Sequence, residues 1–89
     1  MNWKEIEVSN DNNSFQYNKK ILFNKTFDEV LKFHSPGLAP VKDKTGAFHI
    51  DVFGNELYSN RYDRTFGYYF SRASVVLNGA WFHLTEKGQ

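Results

Sequence analysis

The chain contains no cysteine among its 89 residues, so disulfide bonds and thiolate metal sites are excluded. No apolar run approaches the roughly 20 residues that a helix needs to cross a bilayer. The start, Met-Asn-Trp-Lys-Glu-Ile-Glu, lacks the apolar stretch of a signal peptide. We therefore expect a cytoplasmic protein that does not bind membranes.

An excess of charge of one sign is also missing. Eleven lysine and arginine residues are balanced by ten aspartate and glutamate residues, which gives a net charge of +1. Nucleic acids and anionic membranes attract proteins that carry a strong positive field, and this composition does not supply one. Nucleic acid is therefore a disfavoured partner.

The motifs of common enzyme classes are absent as well. The sequence has no glycine-rich phosphate loop, no His-Glu-x-x-His pair and no nucleophile elbow. The adjacent carboxylates Asp28 and Glu29 are explained by a helix-capping pattern that starts at Thr26. The sequence predicts a protein that is not an enzyme, has no catalytic residues and uses no cofactor.

Aromatic side chains are abundant. Nine Phe, five Tyr and two Trp bring large apolar areas, and β-sheets favour such residues on half-buried surfaces. A chain this short buries only about 60% of its unfolded surface, so its core must be dense. We expect one β-rich domain, residues 1–89.

One short motif occurs twice. Gly46-Ala47-Phe48-His49-Ile50-Asp51 returns as Ala80-Trp81-Phe82-His83-Leu84-Thr85, and further matches occur at offsets of 33 to 35 residues. Self-similarity at a fixed period is typical of repeat proteins. We divide the chain into units of about 3–36 and 37–70 and a partial third unit, 71–89. Such a chain is either a short array or part of a longer one.

The predicted fold is an all-β antiparallel meander of about two and a half hairpin-like repeats of 33–35 residues, with seven or eight strands. Hairpin turns are expected at 9–14, at Thr45-Gly46 and at Asn78-Gly79. Residues 3–8 alternate as a strand, although Trp3 and Ile6 could share a helical turn. Further strands are predicted at 15–18, 21–23 and 57–61. The capping pattern predicts one short helix at 27–33, whereas 63–68 is expected to be a loop or single turn.

The unit resembles that of the bacterial WG-repeat family. The resemblance rests on Gly-aromatic, Phe-His-Ile-x-x-x-Gly, Leu-Tyr, Arg-Tyr-Asp-x-x-Phe and small-x-Ala-x-Val, and it is strongest over residues 37–89. Ala47 and Trp81 hold the family's Trp position, and Phe48 and Phe82 hold the Gly that follows it. The resemblance implies tandem β-rich units that act as interaction or scaffold modules without known catalytic residues.

The two histidines of the recurring motif are candidate metal ligands. His49 and His83 would occupy equivalent positions in neighbouring units, and Asp51 or His34 could complete a site. The favoured interpretation is structural: each imidazole packs against an aromatic ring and bonds a backbone carbonyl, because coordination needs three or four convergent ligands. We therefore predict no metal.

Tyrosine and arginine, which are enriched at binding hot spots, cluster in the second half of the chain. The predicted contact surface consists of Tyr58, Arg61, Tyr62, Arg64, Tyr68, Tyr69 and Trp81. We expect it to bind a protein partner that the sequence does not identify. The alternatives are that the set is buried between units, that it stacks a single-stranded nucleic acid, or that Trp81 and the tyrosines bind a small ligand.

The third unit lacks the Leu-Tyr and Arg-Tyr-Asp segments of the second. The hairpin from Ala73 to Leu84 is therefore expected to leave an open sheet edge, and open edges recruit strands. Either the N-terminal strand covers this edge, or a second copy of the chain pairs with it by self-association.

Overall fold

The computed structural model describes residues 2–89 and confirms an all-β antiparallel fold. Nine short strands form three separate three-stranded sheets, and the strand order within each sheet follows the chain. The strands are β1 Glu7–Val8, β2 Phe15–Tyr17, β3 Lys20–Ile21, β4 Glu29–Val30, β5 Ala39–Asp43, β6 Gly46–Ile50, β7 Arg64–Tyr69, β8 Arg72–Leu77 and β9 Ala80–Thr85.

The central hairpin of each sheet lies where turn residues predict it. Asn78 and Gly79 join β8 to β9 with φ angles of 52° and 80°, as a two-residue turn that follows the strand twist requires. Residues 9–14 form the loop between β1 and β2, which is closed by a hydrogen bond from the Ser9 amide to the Ser14 carbonyl oxygen. These hairpin predictions are confirmed.

The helix predicted at 27–33 is wrong. Glu29 and Val30 form β4, which pairs with Lys42 and Val41 of β5. Phe27, Val30 and Phe33 are all buried in one hydrophobic cluster. An extended chain reaches this core and forms a ladder with β5, and that tertiary gain overrides a weak local capping signal.

The loop predicted at 63–68 is also wrong, because β7 occupies Arg64–Tyr69 with an irregularity in register between Thr65 and Tyr68. The predicted strand at 57–61 is absent: Glu56 and Tyr62 make only isolated bridges, to Ile50 and Ala47. Both corrections lie in the second unit.

Residues Trp3–Glu5 form a single 3₁₀ turn capped by the Asn2 side chain, so the strand begins only at Glu7. The strand predicted at 21–23 is Lys20–Ile21 instead. Within residues 2–89, no helix has the length and apolar character needed to cross a membrane.

The core lies between successive sheets. The main cluster joins the first two sheets through Ile6, Phe15, Phe27, Val30, Phe33, Ala39, Val41, Phe48 and Ile50. A smaller cluster of Leu38, Tyr68 and Ala73 joins the second sheet to the third. Each sheet therefore uses the neighbouring sheet to cover its apolar side chains.

The same backbone hydrogen bonds recur 34 to 35 residues apart. The Asp28 amide donates to the Lys42 carbonyl oxygen over 2.8 Å, and the Asp63 amide donates to Val76 over the same 2.8 Å. Two further bonds recur in the same way: Phe27 to Asn13 as Tyr62 to Ala47, and Asp51 to Asn55 as Thr85 to Gln89. The second and third sheets are thus built alike.

The last strand, β9, forms the edge of the third sheet. β9 pairs with β8, and β1 pairs with β2 alone, in the part of the chain that the structure describes. The expectation that the N-terminal strand covers this edge is therefore wrong. The physical reason is that β1 belongs to the first sheet, where Glu7 and Val8 pair with Gln16 and Phe15.

Candidate functional site

The predicted contact residues do not form one surface. Tyr68 is only 2% exposed, so the expectation that it is exposed is wrong. Its hydroxyl donates to the Thr85 carbonyl oxygen over 2.6 Å, which fixes the ring in the interior. Tyr58, Arg61 and Tyr62 are half-buried, whereas Arg64, Tyr69 and Trp81 are exposed.

His49 lies at the centre of the buried group. Its Nε2–H donates to the Phe66 carbonyl oxygen over 2.8 Å, and its Nδ1 accepts from the Tyr58 hydroxyl over 2.6 Å. Burial lowers the pKa of His49 below the ordinary histidine value, and the bond to Phe66 opposes this shift in part. The neutral imidazole packs on Tyr58 and Tyr68 and bonds a carbonyl, as the structural interpretation predicted.

Three aromatic residues of the first unit hold the equivalent positions. Phe15 packs on Phe33 and Phe23 with ring centroids 4.7 and 6.4 Å apart. His49 packs on Tyr68 and Tyr58 at 4.9 and 5.8 Å. The second unit thus builds the same packing from polar rings, and their hydrogen bonds satisfy the buried polar atoms.

Burial also changes the pKa values of Tyr58 and Tyr68, the two tyrosines that pack on His49. Burial raises the pKa of Tyr58 far above the ordinary phenol value, and it raises the pKa of Tyr68 to about 12. Both phenols are therefore neutral hydrogen-bond donors at physiological pH. These groups stabilise the contact between units.

Arg61 ties the segment after β6 back onto that strand. Its guanidinium lies 3.7 Å from the centroid of the Phe48 ring, and its Nε–H donates to Oγ1 of Thr45 over 2.7 Å. A salt bridge of 3.0 Å joins it to Glu56. Arg61 thus acts within the fold rather than on a free surface.

The candidate metal ligands are far from equivalent. His49 is enclosed, whereas His83 lies exposed on β9 opposite Ser74, so the packed and bonded imidazole predicted for both positions is present at His49 and is wrong for His83. Nε2 of His34 lies 3.1 Å from the Tyr69 hydroxyl. Among residues 2–89, no three side chains of the ligating types converge on one point.

Three aromatic residues, Phe66, Tyr69 and Trp81, lie together on one face of the third sheet. Phe66 stacks on Trp81 with centroids 5.5 Å apart and planes inclined by 13°. Trp81 is 62% exposed and Tyr69 is 59% exposed. A shallow groove of about 630 Å³ runs across this face, and its lining consists of Phe66, Gly67, Tyr69, Arg72, Ser74, Trp81 and His83. We call it the β9 face.

The outer edge of β9 presents free backbone groups. The carbonyl oxygen of Val76 accepts from Asp63, so the backbone of Val76 points toward β7 and away from β9. Trp81 is opposite Val76 and is therefore one of a non-hydrogen-bonded pair, whose own N–H and C=O point outward. By alternation, His83 has the same orientation.

This edge also lacks the usual protection. Natural edge strands carry charged residues, prolines or bulges that prevent pairing with other chains. β9 reads Ala-Trp-Phe-His-Leu-Thr, with no Asp, Glu, Lys, Arg or Pro, and it pairs with β8 in unbroken register over six residues. The edge is thus suited to accept another strand.

Sequence reasoning identified Trp81 but missed Phe66 and the β9 backbone as parts of one face. The repeat offset contains a signal for Phe66, because it aligns Phe66 with Leu31 and Trp81 with Ala47.

Comparison with family models, with curated proteins and with solved structures found no match. The function is therefore argued from the geometry of this chain.

Proposed function

We propose that this chain is a non-enzymatic β-repeat module that binds proteins through the β9 face and the outer edge of β9. The observation that carries the proposal is a difference between equivalent positions. Ala47 and His49 are 2% and 0% exposed because residues 56–66 cover them, whereas Trp81 and His83 are exposed. We call residues 56–66 the cover segment.

The chemistry of the β9 face supports protein binding. Trp, Tyr and Arg dominate binding hot spots, and Trp81, Tyr69 and Arg72 lie together along the groove. An extended peptide that pairs with a sheet edge gains affinity from backbone hydrogen bonds and specificity from side-chain pockets. The uncharged β9 edge beside an aromatic groove supplies both.

The resemblance to WG repeats points to the same class of function. The recurrence of backbone bonds at 34 to 35 residues supports tandem units, and such units serve as interaction or scaffold modules in that family. A second copy of the chain is one possible partner, because two β9 edges can pair antiparallel about a two-fold axis.

The test is a selection from a display library of random 12-residue peptides. We expect wild-type protein to enrich extended binders, and we expect the His83→Pro variant to lose them. Proline at position 83 removes the outward N–H but leaves the bonds to β8, since edge strands tolerate proline on their solvent side. Retained binding by a folded His83→Pro variant would contradict the proposal.

A second variant covers the case in which His83→Pro does not fold. Trp81→Glu places a charge on the β9 face without changing the backbone. Its matched control is Ile21→Glu, because Ile21 is an exposed residue on another edge strand, β3. The proposal requires that Trp81→Glu loses the selected peptides and that Ile21→Glu keeps them.

Self-association is tested by light scattering over a hundredfold range of protein concentration. If the partner is a second copy, mass should double as concentration rises and should stay monomeric in Trp81→Glu. A mass increase that Trp81→Glu does not affect would place the contact elsewhere.

A further inference from the structure

Strand β9 has an equivalent in the second unit, strand β6. The outer edge of β6 is covered by the cover segment. Residues 47, 48 and 49 of β6 correspond to Trp81, Phe82 and His83 of β9, 34 residues later. Both strands are the third strand of their sheet and both pair with the preceding strand in antiparallel register. The segment that pairs with β6 therefore indicates which kind of segment can pair with β9.

The backbone of the cover segment pairs with β6 at two places. Tyr62 and Ala47 exchange both of their hydrogen bonds, at 2.8 and 2.9 Å. The Leu57 amide donates to the His49 carbonyl oxygen over 3.0 Å. The corresponding groups on β9 are the outward N–H and C=O of Trp81 and the C=O of His83.

Side chains of the cover segment contact two side chains of β6, one on each face of the strand. The Tyr58 hydroxyl donates to Nδ1 of His49, and Arg61 lies over the Phe48 ring. β9 keeps both recognition elements, because His83 and Phe82 replace His49 and Phe48. Phe82 is 48% exposed, so part of its ring is open to a cation.

We propose that the outer edge of β9 binds, in trans, an extended segment of the pattern Leu-Tyr-x-x-Arg-Tyr, which is the pattern of the cover segment itself and which reaches side chains on both faces of the strand. The inference deepens the proposed function and rests on it, since it names the chemistry of the partner. The partner's Arg lies over Phe82, its first Tyr donates to His83, and its second Tyr pairs with the backbone of Trp81.

One difference between β6 and β9 indicates which residue the partner should carry opposite Trp81. Position 47 is alanine and position 81 is tryptophan, so the partner's second Tyr meets an indole instead of a methyl group. Directly opposed aromatic residues stabilise antiparallel pairs. An aromatic residue opposite Trp81 is therefore favoured over an aliphatic one.

The experiment uses the full chain and a synthetic peptide with the sequence of residues 56–66, Glu-Leu-Tyr-Ser-Asn-Arg-Tyr-Asp-Arg-Thr-Phe. Amide chemical shifts are followed in labelled protein as unlabelled peptide is added. We expect saturable changes at Trp81 and His83. A peptide with alanine in place of both Tyr58 and Arg61 should bind at least about tenfold more weakly, since tenfold corresponds to only 1.4 kcal/mol.

Two results would overturn the inference. The first is binding of equal strength by a scrambled peptide of the same composition. The second is the absence of shift changes on β9, including the case in which shifts move only at Ala47 and His49 because the peptide displaces its own copy within the chain. If the library still yields other peptides that His83→Pro loses, the proposed function stands and only the partner's pattern is wrong.

Discussion

Tyr58 packs so closely against Gly88 that a β-carbon on the glycine would lie 2.7 Å from Cδ2 of the ring. The same relationship exists one unit earlier, where a β-carbon on Gly54 would lie 2.8 Å from Cδ1 of Phe23. Both glycines have positive φ, 83° at Gly54 and 81° at Gly88. The turn after each hairpin thus closes over an aromatic ring of the preceding unit.

We expect Gly54→Ala to destabilise the protein more than Gly79→Ala. Both glycines have positive φ, which costs an alanine about 1–2 kcal/mol. Only at Gly54 does the new methyl group meet a ring, and overpacking costs about 1–3 kcal/mol more. A β-carbon at Gly79 meets nothing within 4 Å. Urea unfolding measures the difference, and equal losses would show that the ring contact is loose.

Stability should fall in mild acid because His49 is buried and neutral. Its pKa is lowered in the folded state, so below about pH 6.5 the unfolded chain takes up a proton that the folded chain does not. The free energy of unfolding then falls by at most about 1.4 kcal/mol per pH unit until the folded pKa is reached.

The contribution of His49 to this acid dependence is isolated by one double variant, His49→Phe with Tyr58→Phe. Its two new rings copy the packing of Phe15 and Phe23 in the first unit. The double variant should lose the part of the acid dependence that His49 supplies, whereas His83→Phe should keep it. Urea unfolding between pH 5 and 8 is the measurement. An unchanged slope in the double variant would mean that His49 titrates normally.

Alkaline conditions should unfold the chain through its two buried phenols. The pKa of Tyr58 and that of Tyr68 are raised in the folded state, so the stabilisation is complete below about pH 10 and declines as pH rises above that value. Phenolate absorbance should therefore appear for these two groups only together with unfolding. Their ionisation with an ordinary pKa in folded protein would contradict the buried packing.

Arg61→Lys should cost about 1 kcal/mol of stability, because lysine cannot keep both the stacking on Phe48 and the directed bond from Nε to Thr45. Arg72→Lys is the matched control, since Arg72 is exposed and its guanidinium bonds the Ser71 carbonyl oxygen next to it. Thermal unfolding of the two variants compares them. Equal melting temperatures would show that Arg61 is a surface residue.

The sequence predicted the hairpins because their signals are local. Asn78-Gly79 selects its turn without help from the rest of the chain. The strand at Glu29–Val30 was not predictable, since two residues carry no periodicity and the capping pattern favoured a helix. Its formation depends on β5, because Glu29 and Val30 pair with Lys42 and Val41, which come later in the chain.

The candidate site was predictable only in part. Trp81 follows from its aromatic character and its place in the recurring motif. Tyr68 was misplaced because residues 63–68 were expected to be a loop or single turn, whereas β7 occupies Arg64–Tyr69 and Tyr68 pairs with Ala73 in the interior. His49 and Phe48 lie on opposite faces of β6, and both are buried.

The most direct test compares amide hydrogen exchange at Ala47 and Trp81, equivalent residues whose N–H groups both point away from their own hairpin. The Ala47 amide is bonded to the Tyr62 carbonyl oxygen over 2.8 Å, whereas the Trp81 amide faces the open edge of β9. In dilute protein we expect Trp81 to exchange at least about a hundredfold faster than Ala47, and to slow when a strand binds. Equal protection of both amides at every protein concentration would contradict the account, since the β9 edge would then be closed.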